Sequence, residues 1–137
     1  MTAALQSLAA GFPYLLAHLG AATVIFVTAA FAYVKLTPYR EIDLIRSGNT
    51  AAAVSLGAVL VGLALPLAAA LATSAGIWDI FVWGAATLLI QLLAFRFADL
   101  ILRELPRRIA DGETPAAIVL ASIKLSGGVM LAAALMS

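Results

Sequence analysis

The chain has 137 residues, 64% of them hydrophobic and 11% charged, with a mean hydropathy of +1.10. A soluble domain is roughly half apolar and a quarter charged, so an ordinary soluble enzyme, a disordered tail and a secreted disulfide scaffold are excluded. The absence of cysteine removes thiol catalysis, thiolate metal sites and disulfides. A net charge of +1 gives no reason to expect nucleic-acid binding. The composition is that of an integral membrane protein.

Met1 to Phe12 has no Lys or Arg ahead of its apolar run. It lacks the basic region of a cleaved signal peptide and is expected to stay in the mature chain. A helix crossing a hydrocarbon core of about 30 Å needs about 20 apolar residues, and four stretches qualify. Pro13 to Val34 is the first. Thr37-Pro38 then caps and starts a short helix, in which Tyr39 to Arg46 sets Ile42 and Ile45 on one interfacial face. Ser47-Gly48-Asn49 ends that helix and caps the second span, Thr50 to Thr73. Asp79 caps the outer start of the third span, Ile77 to Phe95, which is expected to run on as a helix to Glu104. Along this extension Arg96, Asp99 and Arg103 share a face and can pair. Asp111-Gly112-Glu113-Thr114-Pro115 repeats the turn chemistry before the fourth span, Pro115 to Met136. No stretch carries the alternation of a barrel strand.

Lys35, Arg40, Arg46, Arg96, Arg103, Arg107 and Arg108 all fall on one side of these spans. The positive-inside rule puts loops 35–49 and 98–114 in the cytoplasm and both termini outside. Tyr14 and Trp78 are then expected at the outer interface, Tyr33 and Tyr39 at the inner one.

The chain also repeats itself at an offset of 64 residues. Gly20-Ala21-Ala22-Thr23 recurs as Gly84-Ala85-Ala86-Thr87, and Ile45, Gly48, Thr50 and Leu56 recur as Ile109, Gly112, Thr114 and Leu120. This reads as a duplicated two-helix hairpin, about 13–73 and about 77–136, within a single membrane domain spanning 1–137. Each unit returns the chain to the side it started on, so the copies are expected to be parallel, about an axis normal to the membrane. The small pairs Ala53/Gly57, Ala58/Gly62, Ser122/Ser126 and Gly128/Ala132 would let helices approach closely, within the bundle or between copies.

Where the copies differ, polar residues enter the membrane. Lys124 lies about 15 Å along its helix from Thr114, near the bilayer midplane, where exposure to lipid costs about 3 kcal/mol. Pro66 frees the carbonyl of Gly62 at a similar height. Thr87 and Gln91 share a face of the third span. Asp79 and Asp99 are assigned to the span ends, leaving no carboxylate at the depth of Lys124. Two readings stay open. Lys124 is an anion site or proton-linked switch with Gln91, Thr87 and Pro66 around it, or it is a structural lysine bonded to carbonyls across an interface. His18 reads as an outer interfacial anchor. With no catalytic set, phosphate loop or paired carboxylates, no enzyme activity and no cofactor or metal are expected. Arg40, Arg46, Arg107 and Arg108 are the candidate cytoplasmic docking residues.

Thr37-Pro38-Tyr39 with Glu41, Leu44-Ile45-Arg46, Gly48-Asn49, Ala51-Ala52-Ala53, Gly62, Leu65-Pro66-Leu67-Ala68, Trp83-Gly84, Gln91-Leu92-Leu93 and Arg107-Arg108-Ile109 before Gly112 form a specific combination. On these residues nearly the whole chain resembles the domain of unknown function 350 family of bacterial inner-membrane proteins. The resemblance implies a small multispanning inner-membrane protein built from two copies of one hairpin, with no established activity and an association with membrane-stress systems. Leu131 departs from the small polar residue that the family pattern suggests, and Lys124 is not a typical family position. The expectation is a self-associating structural or accessory membrane component, a homo-oligomer or a subunit of a larger complex in the lipid bilayer. The alternative is an oligomeric channel or transporter, for an anion, built around Lys124.

Overall fold

The computed structural model describes residues 1–37 and 40–137, and within them every regular element is a helix. In chain order these are α1 (Thr2–Leu36), α2 (Glu41–Arg46), α3 (Thr50–Thr73), α4 (Ile77–Ile101), α5 (Glu104–Ala110) and α6 (Thr114–Met136). Four of them, α1, α3, α4 and α6, are long and apolar enough to cross a membrane. In hydrocarbon only a helix satisfies its own backbone without a closed sheet, which is why Ala-, Leu- and Val-rich runs settle this way.

α1 starts at Thr2, not at Pro13 as expected. Residues 2–12 are rich in Ala and Leu, good helix formers, and Pro13 removes only the bond to the carbonyl four residues back. Thr37 closes α1 instead of opening α2, its Oγ1 donating to the carbonyl of Tyr33 at 2.8 Å. The short helix begins at Glu41. Pro38 and Tyr39, assigned a helix start and an aromatic anchor, lie outside the described residues. α4 outruns Phe95 but stops at Ile101, short of Glu104. The residue that would donate to the Leu102 carbonyl in a continuous helix is Pro106, which has no N–H.

The glycine turn expected between the long helices forms at both places, but only the first has a side-chain cap: Glu113, the N-cap of α6, makes none. Gly48 and Gly112 have φ of +91° and +87°, the left-handed region that glycine enters without penalty. Behind each runs the same pair of bonds: Gly48 N–H to Ile45 O and Asn49 N–H to Leu44 O, then Gly112 N–H to Ile109 O and Glu113 N–H to Arg108 O. Asn49 caps α3, its Oδ1 accepting from Ala52 N–H at 3.0 Å. Its Nδ2 donates to the carbonyls of Ile109 and Ala110 at the end of α5, so one side chain ties the two loops together. Asp79 does not cap α4 as expected: Gly76 is the N-cap and has no side-chain cap bond, and Asp79, in the first turn, instead accepts from Ala75 N–H, one residue before the cap, at 3.1 Å.

α3 is the central helix: half of its apolar window is buried, against 17% for α1. One apolar cluster joins α1, α3 and α4 through Ile25, Tyr33, Val59, Leu63, Leu67, Ile80, Leu88 and Phe95. The second docks α2 and α5 onto the starts of α3 and α6, through Ala51, Ala52, Ile109, Ala116, Ala117 and Leu120. Ala58, Gly62, Gly128 and Ala132 are buried, whereas Ala53, Gly57, Ser122 and Ser126 face outward. Of the four small pairs, two therefore pack the bundle and two do not.

Candidate functional site

Lys124 projects from α6 into the bundle with its side chain fully buried, and its Nζ lies 2.9 Å from Asp99 Oδ1 of α4. A carboxylate therefore does reach Lys124, contrary to the expectation from depth alone. The reason is geometric. Ala98 and Leu102 pack on the cluster of Ala117 and Leu120, which sets Asp99 about one turn of α6 from Lys124. Side chains tilt toward the N-terminus of their own helix. Because α4 and α6 run in opposite directions, the two side chains lean toward each other.

Nζ also donates to the hydroxyl of Tyr33 on α1 at 3.1 Å, and that hydroxyl donates to Glu41 Oε1 at the start of α2, at 3.2 Å. The ammonium sits over the rings of Tyr33 and Phe95, 5.1 and 5.6 Å from their centroids. Those rings meet edge to face at 6.1 Å. One cation thus has a carboxylate, a phenol and two aromatic faces as company, and the connected groups come from α1, α2, α4 and α6. Tyr33 is buried and so is no interfacial anchor. Tyr14 and Trp78 are exposed, as an interfacial belt needs.

The expected polar company of Lys124 is occupied elsewhere. Thr87 donates to the carbonyls of Trp83 and Gly84 in its own helix, at 2.7 and 3.2 Å. Gln91 Nε2 donates to the Gly62 carbonyl at 3.0 Å, the oxygen that Pro66 leaves without its helical donor. Pro66 and Gln91 form a matched pair: the proline breaks one backbone bond and the glutamine replaces it. Gln91→Leu should therefore cost about 1–3 kcal/mol, the penalty of a buried carbonyl left unpaired. Pro66→Ala should return much of that in the Gln91→Leu background by restoring the N–H. Thermal unfolding of the two single variants and the double variant in detergent checks this.

The four loop arginines are exposed and stand apart from the Lys124 network. Arg40 lies 3.7 Å from Asp43, and Arg108 pairs with Glu113. Arg46 and Arg107 have no ion pair among the described residues. His18 is half-buried on α1. The expected pairing of Arg96 with Asp99 is absent, because Asp99 has turned inward to Lys124. Sequence reading missed Asp99, Tyr33 and Glu41 as site residues. By sequence Asp99 reads as an end-of-span residue, Tyr33 as an interfacial anchor and Glu41 only as part of the family resemblance. The packing of α1, α2, α4 and α6 brings Asp99 and Tyr33 to Lys124, and Glu41 to Tyr33.

The model of the family described as Domain of Unknown Function (DUF350) matches residues 7–135. The chain belongs to this family. Within it, the chain is 37% identical over 103 residues to the inner membrane protein YjfL of Escherichia coli (strain K12), covering 75% of this chain and 78% of that protein. The YjfL of Escherichia coli O157:H7 matches equally well. No solved structure matches. With four apolar helices and inner-membrane relatives, this DUF350 chain is a multi-pass inner-membrane protein.

Proposed function

We propose that the chain is a structural or accessory membrane subunit, not an enzyme, that assembles laterally with copies of itself. The observation that carries this reading is the length of α1. Its 35 residues make it about 52 Å long, against a hydrocarbon core of about 30 Å. A tilt of about 20°, the average for membrane helices, does not absorb the difference. Its first fully buried residue is Ala21. Leu5, Leu8, Phe12, Leu15, Leu16 and Leu19 all lie before it and are all exposed. A second copy covers apolar surface that the chain's own helices leave bare.

Two further expectations belong to the same reading. The helix order long, short, long occurs twice, and matching turn bonds stand 64 residues apart. These support two parallel repeats related by an axis along the membrane normal. The seven basic residues on one side support cytoplasmic loops 35–49 and 98–114, with both termini outside. The anion-channel alternative is less well supported, because the Lys124 charge that motivated it is matched by Asp99.

The lack of cysteine makes the test clean. Leu8→Cys and Phe12→Cys should form disulfide dimers on oxidation in native membranes, while Val61→Cys on α3 should not. Native mass spectrometry of the gently extracted protein should show one homo-oligomer. A monomer without crosslinks at any α1 position, or a complex holding only foreign subunits, overturns self-association.

A further inference from the structure

We propose that Arg96 and the groove along the outer face of α4 form a binding site for one anionic phospholipid. The site lies in the leaflet nearest the C-terminal end of α4. The six arginines are not alike: five are exposed, and Arg96 alone is half-buried. It lies within a helix long and apolar enough to span the membrane, five residues before its end. Its natural partner on that helix is Asp99, one turn on. Lys124 has drawn that carboxylate into the bundle, and Arg96 is left with no ion pair or side-chain hydrogen bond to the described residues. An arginine in this zone is stable only where its guanidinium meets water, a headgroup or a counter-charge.

The surface around it is shaped for a chain as well as a charge. Leu93, Ala94, Phe97 and Leu100 join Arg96 in lining an open groove of about 480 Å³. Ala94 and Phe97 also line a second apolar groove of about 360 Å³ between α4 and α6. Ala94 is the smaller of the two side chains that both grooves share. On its other side Arg96 borders a recess of about 10 Å³ with Thr37, Tyr33 and Asp99, room for about one water molecule. A guanidinium at headgroup depth beside an apolar furrow suits a ligand with a phosphate at one end and a hydrocarbon chain at the other. Phosphate accepts the two parallel N–H bonds that a guanidinium fork offers, and a net negative headgroup supplies the charge that Asp99 does not.

The test is native mass spectrometry of the protein in mild detergent. It is titrated with phosphatidylglycerol and with phosphatidylethanolamine of the same acyl chains. The wild type should retain the anionic lipid preferentially, and Arg96→Gln should lower that preference about tenfold, the loss of one charge-assisted contact. Arg103→Gln, which removes an exposed arginine, should leave it unchanged. Ala94→Leu keeps the charge but fills the groove, and it should also reduce lipid occupancy, so the proposal does not depend on Arg96→Gln folding well. Wild-type preference retained in Arg96→Gln and in Ala94→Leu overturns the proposal, as does equal retention of the two lipids by the wild type. If Ala94→Leu instead changes the oligomeric mass and leaves lipid preference intact, the groove holds a second copy, and the lipid site is likewise refuted.

Discussion

Lys124→Met is expected to destabilise the protein by about 3–5 kcal/mol, the loss seen when one partner of a buried ion pair is removed. The substitution keeps a flexible apolar side chain of similar reach, so packing changes little. What it leaves is the Asp99 carboxylate, only 8% exposed, without the buried ammonium that it pairs with. Asp99→Asn should be milder, since the amide can still accept from the ammonium. The informative comparison is the double variant Lys124→Met with Asp99→Asn. Replacing both charges by neutral groups removes the uncompensated ion, and buried ion pairs are often no more stable than neutral replacements. The double variant should therefore be more stable than Lys124→Met alone. Thermal unfolding in detergent measures all three. Additive losses would mean that the pair is not coupled.

Gly128→Ala is expected to be the most damaging single-methyl addition, at about 1–3 kcal/mol. A Cβ at Gly128 would lie 2.9 Å from the carbonyl oxygen of Gly62 and 3.0 Å from Gln91 Nε2. The first is backbone of the facing helix and the second is the donor that satisfies that same carbonyl, so neither can yield without separating α3 from α6 or breaking the bond. Gly62→Ala should cost less. Its Cβ would meet the tip of the Phe95 ring at 2.9 Å, and a side-chain tip can shift where backbone cannot. The order of the two melting temperatures checks the argument. If Gly62→Ala proved the worse, Phe95 rather than the α3–α6 backbone contact would be the rigid element.

The two sets of predictions concern residues that the sequence exposed to very different degrees. Gly128 and Gly62 were visible as small residues at helical spacing, and the bundle uses both at its tightest contact. Gly48, Gly112 and Asn49 were equally legible, because turn geometry and capping depend on a few consecutive residues. Pro66 predicted a freed carbonyl on α3, which the structure shows to be held by Gln91. Lys124 was visible as an anomaly in an apolar helix, but its partners were not. Asp99 looked like an end-of-span residue pairing with Arg96, and Tyr33 like an anchor at the interface.

What the sequence determined by itself was everything that follows from local chemistry and from the solvent. Four runs of apolar residues of about 20 or more must be helices in a bilayer. Glycine permits φ near +90° at the turns, and proline removes a backbone donor wherever it falls. Tertiary structure decided what depends on relative position between helices: which faces α3 presents to α1, α4 and α6, and at what height α4 stands against α6. The Lys124–Asp99 contact belongs to that second class. A lysine stem and an aspartate lean several ångströms along their helices in opposite senses, so depth counted residue by residue misplaces the charges while the packed bundle brings them to 2.9 Å.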